Sequence, residues 1–277
     1  MSKCCGRAFR ADIDKLVHRR SRYINCSLLF ALCSLLCACS KQDPVLPGQR
    51  LAVFDAKGIM VENKPAPVSQ LELPPVAPFA EPIDYEQDSD NTVWRKKPDG
   101  GREKIFSGMA TAARVEGVRQ PTVAGGSVYA GLSTGEVVKI NARDKSLAWV
   151  ADVYKASAMT GGTGFMDIVA PIVVDSGAVY VGGMGDAFCK LNDKTGAKKW
   201  CLPLSVDVPF VITGGTVFVV SADNYLYAVD AKDGAAYWRA TVRKHSAPVL
   251  SRNKDERFII SVGREKFDAE DGKLIGK

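Results

Sequence analysis

The chain has 277 residues, a quarter of them charged, and a formal net charge of +6. Its first 22 residues hold seven basic and two acidic residues, a surplus of five, which leaves the remaining chain near +1. A basic surplus confined to one end excludes an inference of nucleic-acid or membrane-surface binding from overall charge.

The N-terminal segment predicts export. Basic residues precede an uncharged apolar run at 26–38, the order found in a secretory signal peptide. The run is too short to span a bilayer, which takes about 20 residues. It ends in Leu36-Cys37-Ala38-Cys39, which resembles a bacterial lipobox. We therefore expect residues 1–38 to be removed and Cys39 to carry lipid, with Ser40 matching outer-membrane sorting. An uncleaved N-terminal anchor helix is the alternative.

Residues 39–90 are predicted to form a tether between the lipidated cysteine and the folded domain, residues 91–277. Eight of the fourteen prolines lie between Pro44 and Pro82. Proline-rich stretches of this type act as extended, semi-rigid spacers. Within the tether, only residues 51–54 alternate like a strand.

The folded part is built from a repeat of about 40 residues. Each unit reads as four short strands, with a proline at its start and glycine-rich turns between strands. The four clear units open at Pro121, Pro171, Pro209 and Pro248. A period near 40 with four strands per unit indicates the blades of a β-propeller. We predict an all-β fold of four-stranded antiparallel blades; an unrelated β-sandwich is the alternative.

Both ends of the repeat are irregular. Residues 91–94 and 104–115 predict an incomplete first blade, and the last blade has Gly276 where the others have Trp. Propellers commonly close by letting a strand from one terminus complete a blade made by the other. Residues 51–54 or 104–115 are therefore candidates to complete the last blade.

Three tryptophans keep a fixed place in the repeat. Trp149, Trp200 and Trp238 each lie nine positions after the last apolar residue of the third strand. A sugar platform or a stacked cofactor is one interpretation of such residues. Their fixed phase favours a structural role, in which each Trp buries about 150–250 Å² between one blade and the next.

Two cysteines remain once the signal and the lipid site are set aside. Cys189 and Cys201 flank the turn at 193–196, and a hairpin in which residue 193 pairs with 197 places them directly opposite. Opposite Cβ atoms lie about 4.5–5.5 Å apart, which permits a disulfide in an oxidising compartment. Two buried free thiols are the alternative, since a one-residue change in register separates them.

The sequence offers little catalytic equipment. It contains two histidines, His18 in the signal and His245 between two units, which is too few for a zinc site or a well-supported Ser-His-Asp set. The glycine-rich stretch at 161–164 lacks the Lys-Ser/Thr of a phosphate-binding loop. We predict no catalytic residue, no metal site and no cofactor.

The repeats resemble the quinoprotein-type (PQQ-like) propeller repeat, above all residues 171–200, which read P…G…VYVGG…LNDKTGxxxW, and 209–238. With Cys39, the LPGQR stretch that begins at Leu46, Asn91-x-x-Trp94 and the glycine-rich loop at 161–164, the chain resembles the BamB family of outer-membrane lipoproteins.

This resemblance implies a non-enzymatic scaffold, lipid-anchored to the outer membrane and facing the periplasm. Its implied partners are the barrel-inserting (BamA-like) subunit of the β-barrel assembly machinery and unfolded outer-membrane proteins, with no nucleic acid. Family members contact the inserting subunit through acidic residues of an interblade loop. Asp167, shortly before Pro171, and Asp207, shortly before Pro209, occupy comparable loops here.

The chain departs from the family in size. Eight blades of about 40 residues need over 300 residues, whereas residues 39–277 contain four units and a fragment. Two other functions share the repeat: an exported binding propeller, and a PQQ-dependent dehydrogenase. The dehydrogenase usually has an adjacent cysteine pair, which here occurs only as Cys4-Cys5 in the signal.

Overall fold

The computed structural model describes residues 58–73, 84–111, 120–153 and 167–276. All of them belong to one compact unit, Leu51–Lys277. The predicted signal, the lipid site Cys39, the strand-like residues 51–54 and the glycine-rich loop at 161–164 lie outside the described residues.

Within the described ranges, nineteen short strands form five antiparallel sheets, which we number as blades in chain order. Blade 1 has three strands: β1 (Tyr85–Gln87), β2 (Thr92–Lys96) and β3 (Arg102–Ser107). The other four have four strands each, in sequential order. Blade 2 is β4 (Thr122–Ala124), β5 (Ser127–Gly131), β6 (Glu136–Asn141) and β7 (Leu147–Asp152); blade 3 is β8 (Val173–Asp175), β9 (Ala178–Gly183), β10 (Ala187–Asn192) and β11 (Lys198–Leu202). Blade 4 is β12 (Val211–Thr213), β13 (Thr216–Val220), β14 (Tyr225–Asp230) and β15 (Ala236–Thr241); blade 5 is β16 (Pro248–Arg252), β17 (Phe258–Val262), β18 (Glu265–Asp268) and β19 (Leu274–Gly276).

The predicted fold class is confirmed. The second and third strands of blades 2 to 4 are rich in β-branched and aromatic residues, which suit a sheet buried on both faces. A one-turn 3-10 helix (Val68–Gln70) lies before blade 1. Blade 5 supplies its own fourth strand, β19, and residues 102–107 belong to blade 1. The described part of 104–115 therefore does not complete the last blade, which corrects one of the two candidates for strand exchange.

The hydrophobic core is divided into four clusters, one between each pair of consecutive blades. Each cluster draws apolar side chains from the facing surfaces of two sheets, because neither sheet can bury both faces alone. Each cluster contains fully buried residues from both of its blades. They are Val93 and Ile140 between blades 1 and 2, Val137 and Leu191 between blades 2 and 3, Phe188 and Val219 between blades 3 and 4, and Phe218 and Ile260 between blades 4 and 5.

The three repeated tryptophans fasten the last four blades together. Each indole N–H donates to a backbone carbonyl in the turn between the third and fourth strands of the following blade. The bonds run from Trp149 to Asp193 at 2.8 Å, from Trp200 to Ala231 at 3.1 Å and from Trp238 to Ala269 at 3.2 Å. Each Trp therefore contributes both apolar packing and a directed hydrogen bond to the interblade contact, as the predicted structural role requires.

A glycine in that turn makes the close approach possible. Gly196 has φ +70°, and a Cβ added there would lie 2.9 Å from ring atoms of Trp149. A left-handed backbone and the absence of a side chain are both needed at this point. Gly234 has the same relation to Trp200.

The structure differs from the predicted tether over residues 58–73, which we call the strap. The strap contacts blades 3 to 5. It buries Ile59 and Val61 in the cluster between blades 3 and 4, and Ala66 and Leu71 in the cluster between blades 4 and 5, all to 5% exposure or less. Val61 pairs in parallel with Ala236 of β15. The composition rule for a spacer fails here because four apolar residues, spread among prolines and polar residues, all point into neighbouring clusters.

Candidate interaction surface

The blades present two different edges. In a four-stranded antiparallel sheet, the first and third turns lie at one edge, and the second turn and the connection to the next blade lie at the other. We call the second the loop edge, made here of connections 203–210 and 243–247 with turns 184–186, 222–224 and 263–264. The opposite edge, with turns such as 214–215 and 231–235, is the turn edge.

Two connections at the loop edge are joined by a polar contact. Nε2 of His245 donates to Oδ1 of Asp207 over 2.5 Å, and their side chains are 27% and 34% exposed. The contact was not foreseen from the sequence, although both residues lie two or three positions before an opening proline, Pro209 or Pro248. Their similar distance from the proline that opens a unit was the sequence feature that placed both residues in neighbouring connections.

This His–Asp contact does not form a hydrolytic triad. Nδ1 of His245 is buried and has no hydrogen-bond partner, and Oγ of Ser246 is in the same condition. A nucleophilic serine must hydrogen-bond to the histidine that activates it. The contact shown joins the connections at 203–210 and 243–247 to each other.

The connection at 203–210 is held to the blades on both sides. The N–H of Val206 donates to Gly183 at 2.9 Å, and the N–H of Ala222 donates to Ser205 at 2.8 Å. The Ser205 hydroxyl also donates to the Asp186 carboxylate at 2.9 Å. These bonds give the connection a defined shape, and a pre-ordered loop loses less conformational entropy when it binds a partner.

The next connection is held by a buried carboxylate. Glu265 of β18, only 7% exposed, accepts the Arg243 N–H at 2.7 Å and lies 3.6 Å from its guanidinium. The guanidinium side chain remains 71% exposed. The loop edge thus combines fixed backbone with exposed charges of both signs.

The two acidic residues expected to contact a partner occupy different environments. Asp207 is partly exposed, as described above. Asp167 is 4% exposed and bridges Met184 through backbone hydrogen bonds in both directions. The role of either residue in partner binding stays a prediction, and exposure favours Asp207.

The structure brings Cys189 and Cys201 together. They are direct partners in the register of β10 and β11, and their sulfurs are joined in a disulfide bond with an S–S distance of 2.07 Å. Cys189 is fully buried and Cys201 is exposed. The bond ties the outermost strand of blade 3, which carries Trp200, to the strand inside it.

A cluster of hydrogen-bonded charges lies at the turn edge, between blades 2 and 3. The Asp193 carboxylate accepts bonds from the Tyr129 hydroxyl at 2.6 Å and the Lys139 ammonium at 2.8 Å. Burial opposes the charge on Asp193, but the bonds from Lys139 and Tyr129 outweigh it and lower the pKa of the carboxyl. The same groups surround the Trp149 contact, so this cluster strengthens the interblade interface.

Among the described residues, no group of three or more His, Cys, Asp or Glu side chains is arranged to hold a metal ion. In the same part of the chain, no helix has the length and apolar character needed to cross a bilayer.

Comparison with known proteins identifies the family. The family model described as "Outer membrane protein assembly factor BamB", of PQQ-like repeats, matches residues 79–200 and 163–275. The chain belongs to this family.

Two curated relatives bear the same description. The protein from Moranella endobia is 24% identical over 184 residues, which cover 65% of this chain and 47% of the relative. The protein from Alkalilimnicola ehrlichii is 26% identical over 125 residues, covering 45% and 33%. The match spans less than half of each relative's length.

Among solved structures, the quinohemoprotein alcohol dehydrogenase ADHIIG from Pseudomonas putida is similar with a TM-score of 0.51 and 14% identity. The similarity covers 69% of this chain and 40% of that one. It shows a shared propeller fold and nothing about activity.

Proposed function

We propose that this chain is a non-enzymatic scaffold lipoprotein of the outer-membrane β-barrel assembly machinery, which docks on the barrel-inserting subunit. The observation that carries the proposal is the match of the family model across residues 79–275.

We place the docking surface at the loop edge, around Asp207. The connection at 203–210 is fixed on both sides by backbone bonds, and Asp207 and Arg243 present opposite charges to solvent. Complementary charges on a fixed loop favour a specific register with a partner. Unfolded outer-membrane proteins are the second partner proposed for the assembled machinery.

The proposed location is the periplasmic face of the outer membrane, with lipid on Cys39. The lipobox-like residues 36–39 support the anchor. The Cys189–Cys201 disulfide supports an oxidising compartment such as the periplasm.

A crosslinking pull-down from outer membranes tests the proposal. Tagged, full-length protein is expected to recover a barrel-inserting subunit, and Asp207→Lys is expected to reduce that recovery at least several-fold. Asp255→Lys is the matched control, since Asp255 is an exposed loop acid at the turn edge. Mass spectrometry of the same sample is expected to show a lipidated Cys39.

Two results would contradict the proposal. One is recovery of no assembly subunit by the wild-type protein under conditions where a known component is recovered. The other is a purified protein that binds a quinone cofactor stoichiometrically, which would favour the dehydrogenase alternative.

A further inference from the structure

The strap begins with Ile59 and Val61 in the cluster between blades 3 and 4 and then fills a groove between blades 4 and 5 at the turn edge. Ala236 of β15 donates to Met60 at 2.9 Å and accepts from Glu62 at 2.8 Å. Further along, Lys64 donates its N–H to Tyr237 at 3.0 Å and Ala66 donates to Glu270 of blade 5 at 2.7 Å. The segment thus crosses from the outer strand of blade 4 to the neighbouring turn of blade 5.

The strap ends at the innermost hairpin of blade 4. The N–H of Glu72 donates to the Thr213 hydroxyl at 2.8 Å, and that hydroxyl donates back to the Glu72 carbonyl at 2.7 Å. A Cβ at Gly214 would collide with the Gln70 carbonyl. The groove therefore receives a peptide from outer strand to inner hairpin, extended at first and with one 3-10 turn (Val68–Gln70) before the inner hairpin.

The equivalent groove between blades 3 and 4 is an open cleft of about 530 Å³. The strand registers give the corresponding positions of blades 3 and 4: Asp175 of blade 3 is equivalent to Thr213 of blade 4, and Tyr180 to Phe218. In the same way, Lys199 stands for Tyr237 and Lys232 of the blade 4 turn stands for Glu270. The cleft is lined by Asp175, Tyr180, Lys190, Asn192, Lys199 and Lys232, among others.

Burial distinguishes the two grooves. Ala236 and Tyr237, which the strap covers, are 0% and 7% exposed, whereas Lys198 and Lys199 at the same positions are exposed. Trp238 is 4% exposed beneath the filled groove. Trp200, its counterpart, is only half-buried, so the open groove leaves its interblade tryptophan accessible.

The two grooves also carry different charges. The filled groove is acidic, and the strap places Lys64 there: the Glu62 bond raises the pKa of Lys64, and the charges of Asp230 and Asp233 add to the rise. In the open groove Asn192 replaces Asp230, Lys232 replaces Glu270 and Lys199 replaces Tyr237. Three lysines and one aspartate line the open groove, so it favours a ligand of the opposite charge to Lys64.

We propose that the open groove between blades 3 and 4 binds an extended, acidic peptide segment of a partner protein, in the path that the strap takes between blades 4 and 5. Carboxylates of the segment pair with Lys199 and Lys232. Ser176 occupies the position of Gly214, and its side chain fills the space that the strap's backbone uses there. The bound segment therefore covers the outer part of the groove and ends before the inner hairpin.

The probe for this site is a fluorescein-labelled peptide with the sequence of residues 58–73 carrying Lys64→Glu. The native peptide has two glutamates and one lysine, and the substitution makes it more acidic without changing its length. Fluorescence anisotropy with the full chain is expected to show saturable binding of the acidic peptide and weaker binding of the native one. Raising the salt concentration should weaken binding, since exposed charge pairs are screened.

Matched charge reversals locate the site. Lys199→Glu/Lys232→Glu is expected to weaken binding of the acidic peptide by at least about tenfold. Lys97→Glu/Lys254→Glu, which reverses two exposed lysines outside the groove, is expected to leave it within about twofold. All four side chains are exposed, and circular dichroism verifies that both variants are folded.

Three outcomes would overturn the proposal. The first is equal binding by both double variants. The second is preference for the native peptide, which would indicate exchange with the chain's own strap. The third is a crosslink from Lys199 to residues 39–57 in the protein alone, which would mean that the groove is occupied by this chain itself.

Discussion

The contact between blades 1 and 2 differs from the three contacts that follow it. In the later ones a Trp packs on a left-handed glycine of the next blade. Between blades 1 and 2 the corresponding turn residue is Lys145, with φ +65°, whose ammonium pairs with Glu103 at 2.6 Å. The outer strand of blade 1, β3, contains no Trp, and Lys145 adopts the left-handed backbone that glycine adopts in the later blades. This comparison indicates that the glycine serves the close approach of Trp as well as the turn.

The contact between blades 1 and 2 is fastened elsewhere, at the loop edge. The Asn91 side chain donates to Ser133 at 2.8 Å and accepts the Ser133 N–H at 3.0 Å. Both residues are buried. A buried amide with several partners replaces the tryptophan, which shows that the fold has two ways to join neighbouring sheets.

The largest expected effect comes from removing a tryptophan contact. Trp238→Ala should lower the free energy of unfolding by about 3–5 kcal/mol, because it deletes a buried ring and leaves a cavity. Denaturant unfolding measures the change. Trp94→Ala in blade 1 is the control; Trp94 is half-buried and bonded to Asp88 within its own blade, so a smaller loss is expected. Equal losses would contradict the comparison.

The disulfide supports the Trp200 contact, between blades 3 and 4, from within blade 3. Replacing Cys189 and Cys201 by Ala and Ser should cost about 3 kcal/mol, the loss usual for a short closed loop. Thermal unfolding of the variant beside the wild-type protein, with and without reductant, measures it. A wild-type melting temperature unaffected by reductant would show that the bond does not stabilise the blade.

Exchanging the turn residues tests the role of glycine directly. Gly196→Ala should destabilise by about 1–3 kcal/mol, since it adds left-handed strain and a contact with Trp149. Lys145→Gly at the equivalent turn position should change stability by less than about 1 kcal/mol, because it removes only a half-exposed ion pair. Similar effects at the two positions would mean that the turn alone requires glycine.

The smallest effect should appear as pH dependence of stability at the interface between blades 2 and 3. Asp193 has a lowered pKa in the fold, so its stabilising contribution is present above the ordinary carboxyl value of about 3.9 and is lost as pH falls through the folded value. Asp193→Asn should therefore flatten the acid limb of the stability curve below about pH 4. Ala231, the corresponding acceptor in the next blade, has no titrating side chain, so Ala231→Ser should leave that limb unchanged.

Much of the fold was predictable because the repeat keeps its phase. Prolines, turn glycines and tryptophans lie at the same points in successive units. The proline opens the unit, the glycine forms a turn, and the tryptophan packs on the next blade. The opposition of Cys189 and Cys201 followed from counting residues across a hairpin. Local patterns of this kind are readable because their partners lie within one unit.

The strap and the His245–Asp207 contact were not predictable in the same way. Glu72 meets Thr213 across 141 residues of sequence, and no local period announces such a pairing. Proline spacing in the strap resembles that of a linker, and only the position of its few apolar residues against blades 3, 4 and 5 makes it part of the fold. The groove between blades 3 and 4 can be recognised as a binding groove only by comparison with the groove between blades 4 and 5, which the strap fills.

The strap also sets the mechanics of an anchored molecule. The 19 residues from Cys39 to Gly58 can span at most about 65 Å, so lipid on Cys39 would hold the described fold within that distance of the membrane. Within the described residues, the attachment nearest to Cys39 in sequence is at the outer strand of blade 4, where Val61 pairs with Ala236. The bonds between Glu72 and Thr213 attach the other end of the strap to the inner hairpin of blade 4. A force on the strap is therefore shared between the outer strand and the inner hairpin and does not act on the outer strand alone.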